Sequence, residues 1–110
     1  MANSPRNSIA INTTGHITIV TFGQAKLDES NAEPIGQQLQ ALITGPGGGE
    51  VHLDFQGVDY MSSAGLRAID DLAASLEEQS GSLRVIDPTD PVRLVLDLSG
   101  LAERLKNTRQ

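Results

Sequence analysis

The first apolar run, Ser8-Ile9-Ala10-Ile11-Asn12, alternates so that Ile9 and Ile11 share one face of a strand. Thr13-Thr14-Gly15 reads as a tight turn into His16-Ile17-Thr18-Ile19-Val20-Thr21-Phe22. In that second run Ile17 and Ile19 point one way and Thr18, Val20 and Phe22 the other, which predicts a strand apolar in part on both sides. The two strands are expected to pair as an antiparallel hairpin. Ser30 or Asn31 is a candidate cap for a first helix. Pro34 falls in its first turn, where proline is tolerated, and Ile35, Leu39, Leu42 and Ile43 recur at helical spacing. A glycine-rich loop, "TGPGGGE", ends that helix. Val51, Leu53 and Phe55 then mark one face of a third strand. The next helix carries Leu66, Ile69, Ala73 and Leu76, at spacings of three, four and three, as its buried stripe. "QSGS" ends it, "LRVID" is a short strand, and residues 88–105 predict a last helix with a Gly100 break near its end. The order β-β-α-β-α-β-α describes an α/β sandwich, a mixed parallel and antiparallel sheet of about four strands with helices packed on it. No internal repeat or linker interrupts it. Residues 1–110 therefore read as a single domain with an ordered core at about 8–105.

Composition removes several function classes. Eight Lys and Arg against 14 Asp and Glu give a formal net charge of −6, whereas nucleic-acid binding needs clustered cations. The only aromatics are Phe22, Phe55 and Tyr60, so base stacking is unsupported and the core must be aliphatic. There is no cysteine for a disulfide or thiolate site. His16 and His52 lie in separate strands with no partner at ligand spacing, so neither a metal nor a cofactor is expected. The glycine run lacks the Lys-Ser/Thr of a P-loop, and it precedes a strand rather than a helix. Asp70, Asp71, Glu77 and Glu78 fall mostly on the solvated face of their helix. The start has no apolar stretch of signal-peptide length and nothing later has membrane-span length, so the expected compartment is a bacterial-type cytoplasm.

The informative stretch is "DYMSSAGLRAIDDL", where Ser62 and Ser63 stand at the mouth of the second helix. A hydrolase nucleophile elbow would read G-x-S-x-G, and "MSSAG" lacks its first glycine. Both histidines also precede Ser63, the wrong order for that triad, so an enzyme is not expected. Either serine could cap the helix by accepting a first-turn N–H, worth about 1 kcal/mol. A bare, serine-bearing helix start also favours negative charge, and a phosphate there would add about −1.5 to −2 charges at pH 7. Physical chemistry leaves cap and phosphoacceptor both open.

The segment "VHLDFQGVDYMSSAGLRAI" resembles the signature of the STAS (sulphate transporter and anti-sigma factor antagonist) domain, in its stand-alone anti-sigma factor antagonist, or anti-anti-sigma factor, form. The matching elements are Asp54, Val58, Tyr60-Met61, Ser62-Ser63-Ala64, Gly65 and Leu66. "KLDES" is similar to the family's acidic loop, with Asp28 as its acid, and Val92, Leu96, Gly100 and Leu101 match its closing segment. The similarity runs from about Ser8 to Leu105. It implies partner switching in transcription regulation. The unphosphorylated protein would bind an anti-sigma factor that is itself an ATP-dependent serine kinase, releasing the sigma factor. Phosphorylation of Ser63 would end binding, and a phosphatase acting on phospho-Ser63 would restore it. The resemblance makes Asp28, Ser62, Ser63, Ala64, Gly65 and Leu66 the partner-binding residues. The better-studied members carry Asp where this chain has Ser62, and Ser or Thr where it has Ala64. Two other roles belong to the same fold: a stressosome-like scaffold, expected to carry extra N-terminal sequence, and a regulatory subunit of a membrane transport complex.

Overall fold

The structure, a computed structural model, describes residues 9–43 and 49–101. Its elements are β1 (Ile9–Thr14), β2 (Ile17–Phe22), β3 (Lys26–Leu27), α1 (Ala32–Gln40), β4 (Glu50–Asp54), β5 (Tyr60–Met61), α2 (Ser63–Glu78), β6 (Ser82–Ile86) and α3 (Asp90–Ser99). The expected hairpin is present: β1 and β2 pair antiparallel, joined by Gly15 and His16, with Gly15 at φ 63. That angle is why glycine leads the two-residue loop. The strands β2, β4 and β6 run parallel in a sheet of order β1-β2-β4-β6. The mixed α/β architecture read from the sequence is the one observed.

The register aligns Val20 with Leu53 and Leu53 with Val85, and Val20 and Leu53 are buried. Phe22 and Phe55 stack nearly parallel with centroids 5.2 Å apart, which places two of the three aromatics in the core. Over this face lie Ile35 and Leu39 of α1 with Ile69, Leu72, Ala73 and Leu76 of α2. Leu72 is fully buried although it lies outside the predicted stripe, while Leu66 is only half-buried. The reason is that α2 packs on α1 as well as on the sheet, so its apolar face is rotated and wider than one stripe.

Three boundaries differ from the sequence reading. Helix α1 stops at Gln40, and Leu42 and Ile43 follow in a turn whose N–H groups bond the carbonyls of Leu39 and Gln40 at 3.0 Å each. Helix α3 begins at Asp90, two residues later than read, and ends at Ser99, where Gly100, at φ 86, makes the left-handed break expected near the helix end. The short strands β3 and β5 have no counterpart in the sequence reading and form a separate parallel ribbon. Most of the glycine-rich loop, residues 44–48, and residues 102–105 of the expected last helix lie outside the described residues.

Candidate functional site

The ribbon builds the corner. In it Lys26 pairs with Tyr60 and Leu27 with Met61. Its hydrogen bonds extend beyond both strands: the Asp59 N–H donates to the Ala25 carbonyl at 2.8 Å, and the Ser62 N–H to the Leu27 carbonyl at 2.9 Å. Asp28 and Ser62, which follow the two strands, therefore leave the same end of the ribbon side by side.

Asp28 organises the entry to α1. One carboxylate oxygen accepts from the Ser30 N–H at 3.0 Å and from the Ser30 hydroxyl at 2.6 Å. Its carbonyl accepts from the N–H groups of Asn31 and Ala32 at 3.1 and 2.8 Å. Asn31 occupies the N-cap position, yet its side chain makes no bond to the first turn. Instead its amide oxygen accepts from the Asp28 N–H at 3.0 Å, and its amide nitrogen donates to the Lys26 carbonyl at 2.8 Å. Only 2% exposed, Asn31 satisfies two backbone groups of the loop that no water could easily reach.

On the other side the two serines divide their roles. Ser62 is the N-cap of α2, with extended backbone; its carbonyl accepts the Leu66 N–H at 2.9 Å and its hydroxyl accepts the Gly65 N–H at 3.4 Å. Ser63 is the first helical residue and exposed, and its hydroxyl makes no hydrogen bond among the described residues. Gly65 is buried against β3: a Cβ added there would lie 2.5 Å from the Leu27 carbonyl oxygen and 2.8 Å from the Leu27 Cβ. Gly65 thus faces the interior and lets α2 sit on the ribbon. Its inward position lets it hold the corner that carries the other residues of the set. Ala64 lies on a groove between α1 and α2, together with Ala32, Gly36 and Ala68. Leu66 lines a cleft shared by Ser63, Arg67, Ser99 and Leu101, where α2 faces the end of α3. The structure therefore brings Asp28, Ser62, Ser63, Ala64 and Leu66 to one end of the molecule.

Two residues at this corner were absent from the sequence-based set. Tyr60 is 48% exposed on the ribbon. Arg67 follows Ser63 by four residues and lines both the cleft and the groove. Its i,i+4 spacing from Ser63 was the available signal. Among the described residues a second polar cluster lies on the sheet face away from the helices. His52 Nε2 is 2.6 Å from Glu50 Oε2, and Arg84 Nε is 3.0 Å from the same oxygen. The hydrogen bond with His52 chiefly holds the Glu50 carboxyl below its usual range; burial opposes this, and the charges of His52 and Arg84 add to it. Glu50 starts β4 whereas the serine corner follows its far end, so the cluster is no part of the site.

A protein-family model described as "Mlab, STAS domain" matches residues 9–107. The chain is similar to BtrV of Bordetella bronchiseptica, named as an anti-sigma factor antagonist, with 35% identity over 77 residues. That match covers 70% of this chain and 66% of BtrV, just under two thirds of the relative. Among solved structures, an anti-sigma factor antagonist (STAS) domain protein of Planctomyces limnophilus superposes with a TM-score of 0.77 at 20% identity, covering 86% of this chain and 83% of that one. The anti-sigma factor antagonist SpoIIAA in its unphosphorylated form gives 0.71 at 20% identity, over 87% and 84% of the two chains. The Bacillus SpoIIAA structure in the phosphorylated form gives 0.68, also at 20% identity, over 87% and 86%. With a fold shared at that level and a family model spanning nearly all of its length, the chain belongs to the STAS domain family.

Proposed function

We propose that this protein is an anti-sigma factor antagonist that works by partner switching, with Ser63 as its phosphoacceptor. The observation that carries the reading is the division of labour at the corner. Ser62 caps the helix, which leaves the Ser63 hydroxyl exposed and without a partner among the described residues. A hydroxyl so placed can approach the γ-phosphate of ATP held by a kinase partner, lose its proton and take the phosphoryl group, with ADP leaving. The unphosphorylated surface made by Asp28, Ser62, Ser63, Ala64 and Leu66 binds the anti-sigma factor, and a dianion in its middle then forces an interface to desolvate a charge. A phosphatase acting on phospho-Ser63 reverses the switch. Similarity to proteins named as anti-sigma factor antagonists supports the partner class, and a phosphorylated form of SpoIIAA supports the kind of modification. No helix among the described residues is long and apolar enough to cross a membrane. The protein itself has no catalytic part in the scheme.

The test is incubation with the cognate anti-sigma kinase and ATP, phosphosite mapping, and calorimetric titration of wild type and two variants. A single phosphate on Ser63 is expected. Ser63→Ala binds the anti-sigma factor but resists inactivation, whereas Ser63→Glu folds and binds at least tenfold more weakly. Phosphate confined to Ser62, or equal affinities for all three proteins, refutes the reading.

A further inference from the structure

Arg67 is the single basic residue of α1 and α2. It is exposed, and among the described residues it makes neither a hydrogen bond nor an ion pair, although Asp70 and Asp71 follow it at three and four residues. It therefore stands at a junction. On one side it lines the α2–α3 cleft with Ser63, Leu66 and Ser99; on the other it lines the α1–α2 groove, whose acids are Glu29, Glu33 and Asp71.

We propose that Arg67 receives the phosphate of phospho-Ser63, clamping it in the α2–α3 cleft and drawing the cation away from the α1–α2 groove. This rests on the reading of Ser63 as the acceptor. Two geometric facts favour it. Residues four apart on a helix are surface neighbours, and an anion placed N-terminal to a cation at that spacing is the favourable order. A guanidinium also matches phosphate oxygens with a planar fork of donors. Among the described residues, the charged groups facing the phosphate in the cleft are Arg67, Asp70 and Asp71 from α2, while the end of α3 and the two residues after it contribute the uncharged Ser99, Gly100 and Leu101. Among the described residues Arg67 is thus the group there that attracts a dianion. Capture changes two surfaces at once: the cleft gains a fixed anion, and the groove keeps its acids while losing the one cation among its described residues. A partner seated over both would meet a change larger than the phosphate alone provides.

The experiment uses full-length protein with phosphoserine installed at position 63 during synthesis, so no kinase is needed and failure to find the natural acceptor is a separate result. Phosphorus NMR follows the second ionisation of the phosphate, ordinarily near pH 6. Arg67→Gln should raise that midpoint by about 0.2–0.4 pH unit relative to the parent, and Arg67→Lys should restore part of the difference. The Arg67 Nε–H signal should move on phosphorylation while those of Arg84 and Arg93 stay in place. Thermal melts confirm that each variant is folded. The same midpoint in the parent and in folded Arg67→Gln, or an unmoved Arg67 signal, overturns the proposal.

Discussion

Gly65→Ala adds one methyl group where the Leu27 backbone already stands. The new Cβ would lie 2.5 Å from the Leu27 carbonyl oxygen, and Cβ atoms are essentially never found closer than 3.0 Å to such a neighbour. Helix and ribbon must therefore part by about 0.5 Å or more. The obstacle is backbone, so no side-chain rotation relieves it. Overpacking of this kind costs about 1–3 kcal/mol. Separation also strains the bond from the Ser62 N–H to the same carbonyl, 2.9 Å long, worth about 1 kcal/mol. Alanine's better helix propensity returns up to about 1 kcal/mol. The net expectation is a loss of roughly 1–3 kcal/mol, a melting temperature lower by about 5–15 °C. Gly36→Ala is the internal control. Its Cβ would meet the Ala68 Cβ at 3.6 Å, an ordinary contact, and the same propensity gain should leave the protein as stable as before or more so. Urea and thermal unfolding of both variants measure the contrast. If Gly65→Ala is as stable as Gly36→Ala, the close approach of α2 to the ribbon is wrong.

Ser62→Ala removes the cap of α2 and should cost about 0.5–1 kcal/mol, at the low end because the bond is long, whereas Ser63→Ala should stay within about 0.5 kcal/mol of wild type; chemical denaturation resolves the pair. Asn31→Ala strands the Lys26 carbonyl and the Asp28 N–H and should destabilise by roughly 2–3 kcal/mol, read from the urea midpoint at unchanged slope. Acidification should expose Glu50. Its carboxyl titrates lower in the folded protein than the ordinary 4.5, so its contribution is present above that pH and lost as pH falls through the folded value. Glu50→Gln should accordingly flatten the decline in melting temperature below about pH 4.5, and an unchanged acid limb contradicts the pairing with His52.

The sheet was legible because its signals are long. Apolar residues two apart in β1 and β2, a glycine at the turn and apolar runs at β4 and β6 mark the strands without tertiary help. The ribbon was not legible, since Lys26–Leu27 and Tyr60–Met61 are each two residues long and periodicity needs more. Their pairing depends on where α1 and α2 place the intervening chain. The same limit hid the work of Gly65: the sequence shows a small residue, but only the approach of Leu27 shows what the smallness is for. Which serine caps was undecidable from two adjacent hydroxyls and became plain once Ser62 was seen to accept the first helical bond. At the end of α2 the sequence offers Gly81, yet the residue with positive φ is Ser80, at 63°. The Gly81 N–H instead closes onto the Leu76 carbonyl at 2.7 Å, so that end is a Schellman closure with serine at its left-handed position.

The ribbon has a kinetic side. Two strands of two residues cannot persist alone, so the amide protons of Asp59 and Ser62 are shielded only while both loops are in place together. They should exchange with solvent as one cooperative unit, opening and closing in step despite a separation of more than 30 residues between the strands. A molecule that grips the acidic loop at Asp28 would then slow exchange at Ser62 without touching it. An encounter at either loop meets a surface whose ordering entropy was already spent when the domain folded, which favours rigid docking over folding upon contact.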